Sequence, residues 1–595
     1  MKKTFYMVCI CAFLLQVLSG CSSFEENKEI QNETSKSTTT STSIIAYDEH
    51  DLDEDYSDEE AHKITFNKTS VEGEGVRVSG TTITITNAGT YICSGTLEDG
   101  NIIVDSSTDA LIRIVLDDAS ITSSSTAPIY VKQADKVLLT LAKGTTNTLS
   151  DAKEYSGVVD NEPNATIFSK DDLTINGSGT LIVQAQYNNG IQSKDDLKII
   201  HGTIQVTSQN HGLVGKDVLA IRDGTITIDA QGDGMKTTNA IDQDKGILCL
   251  EEGSVTIQAQ QDGMQSENTL YIYGGNIKIT SGNGSSNGTK MRNEAGFNPF
   301  EQNTNNVTQD SVSMKGIKAI STITITGGNI SINSADDALH ASDSIIIEDG
   351  ILNLESGDDG IHADQNVTIQ KGTITISQSY EGIEGSDISI NGGTIHLEAS
   401  DDGINASAST SSTPSLSITG GYIYVEADGD GLDSNGNITM SDGTLIVNGT
   451  QSGGDGALDF DGTFAISGGT FIASGSSEML QCPTDVSNGN LALIAFTSSQ
   501  ADMVHIQDSD GNAVITYQPT RSYQVLTIYT NKLKSGSTYQ IRTGGSSQNG
   551  KDGIYDDSLY TGGSLYQEFT IETTTTTIGN INTRGNTMGG GPGFR

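Results

Sequence analysis

The chain has 595 residues and a formal net charge of −44, from 76 acidic and 32 basic side chains. Nucleic acid and anionic membrane surfaces are therefore poor partners for the bulk of the protein. With 68 glycines, 7 prolines and 5% aromatic residues, the composition is rich in turns and poor in large core side chains, as a thin repetitive fold requires, and the length allows more than one domain.

Residues 1–20 form a targeting segment. Lys2 and Lys3 make a basic start, and the apolar run at residues 5–18 is too short to span a membrane comfortably. It ends in LSGC, residues 18–21, which resembles the cleavage box of bacterial lipoproteins. The resemblance implies cleavage before Cys21 and a lipid on its sulfur. An ordinary signal peptide followed by a chance cysteine is the alternative.

Residues 21–62 are polar, rich in Ser, Thr and Glu, and include an acidic run at residues 48–60. Such a segment buries too little apolar surface to fold, so we predict a disordered tether. Together with the lipid, this predicts a monomer anchored to the outer face of the membrane at the bacterial cell surface.

The strands begin near residue 63 with irregular turns, as expected of a capping end, and a strand–turn–strand unit then repeats about every 22 residues over residues 168–474. NVTIQ at residues 366–370 and TITIS at residues 373–377 alternate apolar with polar side chains around a Lys-Gly pair, which is strand periodicity. Such units bury an apolar face only by stacking as coils about 4.8 Å apart. We predict an all-β, right-handed parallel β-helix over residues 63–482. A sandwich of hairpins fits less well, because hairpins have no reason to repeat one acidic turn.

Residues 483–572 break the repeat with longer strands and predict a small antiparallel β cap that covers the open end of the stack. The Gly-rich tail, residues 573–595, is predicted to be disordered. An insertion at residues 282–314 predicts a loop on one face. Cys93, Cys249 and Cys482 are far apart in the sequence and are interpreted as buried free thiols.

The acidic turns form the candidate site. Asp337, Asp359 and Glu381 follow one another at intervals of 22 residues, so stacking places carboxylates about 5 Å apart. Like charges at that distance repel, and an oxygen-rich row suits Ca²⁺. The glycine after the acid allows a tight turn that brings a main-chain carbonyl closer. The candidate calcium ligands are Asp336, Asp337, Asp358, Asp359, Asp364, Glu381, Glu384, Asp401, Asp402, Asp430, Asp433, Asp455, Asp459 and Asp461.

Simpler interpretations remain for single turns, because Asp-Gly is also good turn chemistry at a solvated edge. His340 and His362 stack as well, but without a third His or any Cys we interpret the pair as a surface ladder rather than a zinc site. The coils around Asn189 and His211 lack paired acids, which leaves calcium open there.

The repeated DDGIHA turn (residues 358–363), the GGxIxI strands, the cap and the lipoprotein box together resemble the bacterial family of carbohydrate-binding domain-containing proteins. This resemblance covers residues 63–570 and extends distantly to the family-nine pectate lyases. It implies calcium on the acidic turns, at Asp358, Asp359, Asp364 and their copies, and cellulose or pectic acid bound along the stack.

The resulting hypothesis is a non-catalytic calcium protein that binds an acidic pectic or a cellulosic polysaccharide. The chain has no Trp, and tyrosines such as Tyr271, Tyr273, Tyr422 and Tyr424 are candidate substitutes as stacking platforms. The first alternative is a calcium-dependent lyase that acts by β-elimination, with Lys236, Lys315 or Lys318 as base. Relief of carboxylate repulsion is the simpler role for these lysines. The second alternative is a structural surface stalk or adhesin.

Overall fold

The computed structural model describes residues 43–66, 70–72, 74–156, 158–288, 290, 312–408, 413–450 and 454–580. In this part the chain forms a parallel β-solenoid of about 15 turns, with antiparallel strands at its C-terminal end. The predicted fold class is thereby confirmed. The targeting segment, Cys21 and most of the insertion lie outside the described residues.

Each regular coil contributes a strand to each of three faces, numbered in chain order from the acidic turn. Face 1 contains Thr82–Ile85, Asn101–Asp105, Ile129–Gln133, Ala165–Ser169, Asn189–Ser193, Leu213–Gly215, Met235–Thr237, Met264–Ser266, Ile317–Ala319, Leu339–Ala341, Ile361–Ile369, Ile383–Ile390, Ile404–Ala406, Leu432–Ser434 and Leu458–Phe460. Face 2 contains His62–Thr65, Gly89–Leu97, Leu111–Thr122, Lys136–Leu141, Asp172–Gly177, Asp196–Ile199, Val218–Ile221, Ile247–Leu250, Leu270–Ile272, Thr322–Ile325, Ser344–Ile347, the ends of Ile361–Ile369 and Ile383–Ile390, Ser415–Ile418, Asn437–Met440, Phe464–Ile466 and Asp485–Val486. Face 3 contains the ends of Gly89–Leu97 and Leu111–Thr122, followed by Thr146–Ser150, Thr180–Ala185, Thr203–Ser208, Thr225–Ala230, Ser254–Ala259, Asn276–Ser281, Asn329–Ser334, Ile351–Ser356, Thr373–Gln378, Thr394–Ala399, Tyr422–Ala427, Thr444–Asn448 and Thr470–Gly475.

The alternating pattern of each strand builds the interior. In Thr225–Ala230 the second, fourth and sixth side chains are buried and the other three are exposed. Equivalent apolar residues then stack from coil to coil, as Leu339, Ile361 and Ile383 do in register. The result is one continuous apolar column, which no single coil forms alone.

Glycine at the turn between faces 2 and 3 is required by the stacking itself. Gly253 has φ +98°, and a Cβ there would lie 2.7 Å from the carbonyl oxygen of Gly224 in the preceding coil. A side chain at this position would therefore both strain the backbone and push the coils apart.

The N-terminal segment at residues 43–57, here called the strap, departs from the predicted disordered tether. It lies along face 2 and contains the helix Glu49–Leu52, which Asp48 caps through the amides of His50 and Asp51. Ile45 packs against the buried side chains of face 2.

Asp51 fixes the strap to the solenoid. Its carboxylate is fully buried, accepts a hydrogen bond from Thr174 Oγ1 at 2.6 Å, and lies 2.8 Å from the ammonium of Lys136. Arg113 forms a second ion pair with Asp53, at 3.2 Å. The acidic run is therefore not only solvated chain, because face 2 carries the matching cations about 60 to 90 residues later.

The C-terminal cap has two sheets. In the first sheet, Asn490–Gln500 pairs with Tyr523–Thr530 on one side and with Thr575–Ile578 on the other. Tyr523–Thr530 also pairs antiparallel with Thr470–Gly475, the last strand of face 3. The second sheet contains Val504–Asp508, Ala513–Tyr517, Thr538–Thr543 and Ser564–Thr570. The last strand of the first sheet lies beyond residue 572, so the cap extends further than the sequence predicts.

Further short elements complete the described chain. Ser70–Glu72 pairs with His62–Thr65, Val76–Ser79 pairs with Thr82–Ile85, and 3₁₀ turns occur at Ser285–Asn287 and Asp557–Leu559. Cys93 and Cys249 are buried free thiols, as predicted, whereas Cys482 is only partly buried. No helix among the described residues is long and apolar enough to span a membrane.

Candidate functional site

The acidic turns stack in register along the edge between face 3 and face 1. The amide of Gly360 donates to the carbonyl of Glu381 at 2.9 Å, and the same bond recurs from coil to coil. The predicted alignment of Asp337, Asp359 and Glu381 is thereby confirmed. We call the resulting row the ladder column; its members are Asn189, His211, Asp233, Asp262, Lys315, Asp337, Asp359, Glu381, Asp402 and Asp430.

One oxygen of the ladder carboxylates has a structural role. Asp337 Oδ1 accepts the amide of Asp359 at 3.1 Å, and Asp402 Oδ1 accepts the amide of Asp430 at 2.7 Å. The second oxygen is thereby left for another partner. The glycine after the acid serves close packing rather than a positive-φ turn, because a Cβ on Gly403 would lie 2.3 Å from Val425 Cγ1.

A second row, three residues after the ladder column, faces its free oxygens from the middle of the face 1 strands. Its members pair in register from one coil to the next. We call this row the facing column; it contains Lys236, Gln265, Lys318, His340, His362, Glu384, Asn405, Asp433 and Asp459.

In the upstream coils the protein supplies its own cations to the ladder. Lys236 Nζ lies 2.8 Å from Asp233 Oδ2, and Lys315 Nζ lies 2.5 Å from Asp337 Oδ2 and 2.8 Å from Asp336 Oδ1. Burial opposes ionisation of Asp337, but the hydrogen bond from His340 and the charge of Lys315 outweigh it and lower its pKa.

The lysine that accompanies Asp262 is more distant. Lys318 Nζ lies 3.8 Å from Asp262 Oδ2 and 3.3 Å from Ser313 Oγ. Burial together with the charge of Asp233 raises the pKa of Asp262 in spite of Lys318. In the upstream coils, lysine side chains therefore neutralise the carboxylates of Asp233 and Asp337 closely and the carboxylate of Asp262 less closely.

In the downstream coils the facing column turns acidic or neutral. No Lys or Arg from the described part of the chain lies within 4.0 Å of Glu381, Asp402, Asp430 or Asp433. Burial, followed by neighbouring carboxylates, raises the pKa of Glu381 to about 9. Burial and neighbouring acids likewise raise the pKa of Asp402 and Asp430 to about 7 each, against the hydrogen bond that each accepts from the next coil.

Asn405 adds an orphaned acceptor to this acidic group. Its amide nitrogen donates to Glu381 Oε2 at 3.0 Å. Its buried oxygen, however, accepts no hydrogen bond from any described residue. A buried acceptor without a donor is costly, and a cation beside the neighbouring carboxylates would satisfy it. The donor set of amide and carboxylate oxygens fits Ca²⁺.

The other predicted ligands lie around these columns. Asp358 pairs with Lys290 at 2.7 Å, and one of its oxygens is buried without a hydrogen bond from a described residue. Asp364 is exposed, 3.6 Å from His362 Nε2. Asp401, Asp433, Asp455 and Asp459 are partly buried, Asp461 is exposed, and Gln481 donates to Asp459.

The closest groupings of candidate metal ligands include histidine. Four sets of three residues each bring one ligand atom per residue within 4.8 Å of the other two. Two of them contain histidine, Asp337–His340–His362 and Asp359–His362–Glu384, and two contain only aspartate, Asp336–Asp337–Asp358 and Asp172–Asp195–Asp196. The downstream carboxylates beyond Glu384 do not form such a set among the described residues, so a calcium ion there would draw their side chains together.

The candidate catalytic lysines are engaged in ion pairs. Lys236 lies between Asp233 Oδ2 and Gln265 Oε1, at 2.8 Å from each, and Lys315 lies between two aspartates. This arrangement fits the simpler role of charge neutralisation.

The candidate tyrosine platforms are also largely occupied. The hydroxyl of Tyr273 accepts the amide of Ile44 from the strap, at 3.3 Å. Lys551 of the cap lies over the ring of Tyr422, at 4.2 Å, and Tyr424 is buried against the cap.

Face 3 offers a different kind of surface. Its outward side chains are mainly hydroxyls and amides, among them Gln205, Thr207, Thr225, Thr227 and Thr256. Along its border with face 2, the glycine turns line two open grooves of about 300 Å³ and about 430 Å³, at Gly202–Gly224–Gly253 and Gly328–Gly350–Gly372 respectively.

Three features of the site escaped sequence analysis. The sequence places Lys315 beside the turn equivalent to Asp233-Gly234-Met235 but does not show that its ammonium pairs with Asp336 and Asp337, and Asn405 had no signal of its own in the sequence. Lys290 lies beside Asp358 although 68 residues separate them in the sequence.

Comparison with known proteins gives a consistent family. The model of the carbohydrate-binding domain-containing protein family matches residues 79–360 and 359–403, which is more than half of the chain. A carbohydrate-binding domain-containing protein of Acetivibrio thermocellus is 45% identical over 149 residues, or 24% of this chain and 52% of the relative. The match thus spans about half of that relative's length.

A solved structure of the polysaccharide lyase-like protein from C. thermocellum, a gadolinium derivative, is 37% identical. It covers 37% of this chain and 93% of that chain, with a TM-score of 0.34. From the extent of the family match, the chain belongs to the carbohydrate-binding domain-containing protein family.

Proposed function

We propose that this protein is a non-catalytic, calcium-dependent binder of acidic polysaccharide, held at the bacterial cell surface by a lipid on Cys21. One observation carries the proposal: after His362 the facing column changes from Lys and His to Glu, Asn and Asp, while the ladder column is acidic at every position from Asp337 to Asp430. Calcium takes the place of the missing side-chain cations.

The calcium ligands are drawn from the downstream members of both columns. Glu381, Asp402 and Asp430 supply ladder oxygens, and Glu384, Asn405, Asp433 and Asp459 supply facing oxygens. Asp401, Asp455 and Asp461 lie next to these positions and complete the oxygen supply. Asp336 and Asp337 contribute less, because Lys315 already pairs with both.

Bound calcium solves an electrostatic problem of recognition. A chain with a net charge of −44 repels a polyuronate. Calcium that is incompletely coordinated by the protein attracts the uronate carboxylate, since Ca²⁺ accepts six to eight oxygen ligands. The facing column is part of the surface of face 1, so an extended acidic glycan lying along the coils reaches successive ions. The family to which the chain belongs supports carbohydrate as the partner.

The test is retention of the protein on polygalacturonate, with calcium or with chelator, while the ultraviolet absorbance of unsaturated uronate is followed. Cellulose is the matched neutral polymer. We expect calcium-dependent retention on polygalacturonate without product formation. Product that disappears in Lys236→Ala or Lys318→Ala would assign the protein to the lyases instead. No retention on either polymer would favour a structural stalk.

A further inference from the structure

The two histidines of the facing column form a site whose chemistry differs from that of the calcium ligands. His340 and His362 are register partners in adjacent coils, with ring centroids 4.9 Å apart. One ligand atom of each lies within 4.8 Å of the other and of a carboxylate oxygen of Asp337. The sequence alone favours a surface ladder for these histidines, but the geometry points to a binding site for one transition-metal ion, of the Zn²⁺ or Co²⁺ type, held by Asp337, His340 and His362.

The three side chains combine burial with access. Asp337 is buried, with 2% of its side chain exposed, whereas His340 and His362 expose 14% and 23%. His340 Nδ1 lies 2.8 Å from Asp337 Oδ2, and His362 Nδ1 lies 3.8 Å from the same oxygen. The ligands are therefore held together by the fold and open to an ion from solvent. Three protein ligands leave a coordination position for water.

Nitrogen ligands decide the class of metal. Imidazole suits Zn²⁺, Co²⁺, Ni²⁺ and Cu²⁺, whereas Ca²⁺ prefers oxygen. Two imidazoles in one set of three thus select against calcium, although the flanking coils are rich in carboxylates. Asp359 and Glu384 lie 3.2 Å and 3.5 Å from the two ring nitrogens of His362 and add negative charge that attracts a divalent cation.

Lys315 competes for the same oxygen. Its ammonium lies 2.5 Å from Asp337 Oδ2, and Asp336, at 2.8 Å, offers it a second partner. An ion that binds Asp337 displaces the lysine toward Asp336. Removal of the lysine charge should therefore strengthen metal binding. A purely structural histidine pair gives no such gain.

The experiment is a Co²⁺ titration of the tag-free full-length chain in excess Ca²⁺, followed by visible absorption and calorimetry. We expect one equivalent of Co²⁺ to bind. Affinity should fall at least about tenfold in His340→Ala and in His362→Ala. His201→Ala, which removes a histidine at the turn between faces 2 and 3, is the matched control and should bind normally. Lys315→Gln should bind Co²⁺ more tightly than the unaltered chain.

Absence of Co²⁺ binding in excess calcium, or an affinity in either histidine variant equal to that of the unaltered chain, would overturn the site. Unchanged affinity in Lys315→Gln would remove Asp337 from the ligand set and overturn the three-ligand assignment. If either histidine variant fails to fold, the lysine variant still decides. The inference does not rest on the proposed function, because the principal calcium ligands are assigned to Glu381 and the coils beyond it, and calcium and glycan binding are measured separately.

Discussion

Replacing Asp433 by lysine should make the downstream coils less dependent on calcium. Asp433 follows Asp430 by three residues, as Lys236 follows Asp233, and both pairs join the ladder column to the facing column. In the upstream pair the ammonium lies 2.8 Å from the free ladder oxygen. Asp433→Lys therefore gives a downstream coil the side-chain cation that Lys236 provides upstream.

The size of the effect follows from the spacing of the coils. Two carboxylates about 5 Å apart repel by about 3 kcal/mol at an effective dielectric constant of about 20. The substitution removes one such repulsion and adds an attraction of similar size. Because Asp433 is only partly buried, solvent screening reduces the net gain, and we expect about 2–3 kcal/mol in chelator.

The assay is thermal unfolding with calcium and with chelator, compared between the unaltered chain and Asp433→Lys. The variant should be more stable in chelator, and its stabilisation by calcium should be smaller. Asp442→Lys, at an exposed turn between faces 2 and 3, makes the same charge change away from the columns and is the control. An Asp433→Lys chain that is destabilised in chelator, or that keeps the full calcium effect, would refute the reasoning.

Three further predictions concern the scaffold. Ile361→Ala, at a fully buried position, should reduce the free energy of unfolding by about 2–5 kcal/mol, whereas Ile351→Ala, at a side chain 51% exposed, should change it little; chemical denaturation measures both. Burial lowers the pKa of His211 from 6.5 to about 4, so on acidification the unfolded state binds the proton before the folded state does. The contribution of His211 to the free energy of unfolding should therefore fall by up to about 3 kcal/mol as the pH drops from about 6.5 to 4. His211 Nδ1 accepts the amide of Asp233, as Asn189 Oδ1 accepts the amide of His211 one coil earlier. His211→Asn should keep such an acceptor and lack the loss of stability at low pH, and an equal pH dependence in both chains would contradict the explanation. Asp51→Asn should weaken the attachment of the strap by about 1–3 kcal/mol, because it removes the buried charge that contacts Thr174 and Lys136, while Asp48 still pairs with Lys136 at 2.5 Å. Hydrogen exchange should then increase at residues 43–57 but not in the core strands, and unchanged protection of the strap would argue against the ion pair.

The fold could be predicted from the local sequence pattern, and so could the alignment of the acidic turns. Alternating Ile and Val with glycine turns every 22 or so residues specify stacked strands, because each short unit buries its apolar face only against a copy of itself. Stacking in register then fixes which residues become neighbours, so the alignment of Asp337, Asp359 and Glu381 was predictable.

The partners of those acids were harder to predict, because they depend on contacts across large distances in sequence. Lys290 reaches Asp358 from a different coil, and Lys315 pairs with Asp336 and Asp337 of the next coil. The strap shows the same limit. Asp51 looks like part of a solvated acidic run until face 2 brings Lys136 against it, 85 residues away.

The central claim is that calcium replaces side-chain cations in the downstream coils. A crystal structure of the chain grown with calcium tests this most directly, with ions identified by their anomalous scattering. The account predicts calcium between the ladder and facing columns among Glu381, Asp402, Asp430 and Asp433, and the ammonium of Lys236, without an ion, beside Asp233. Calcium bound beside Asp233 with the downstream columns empty would contradict it.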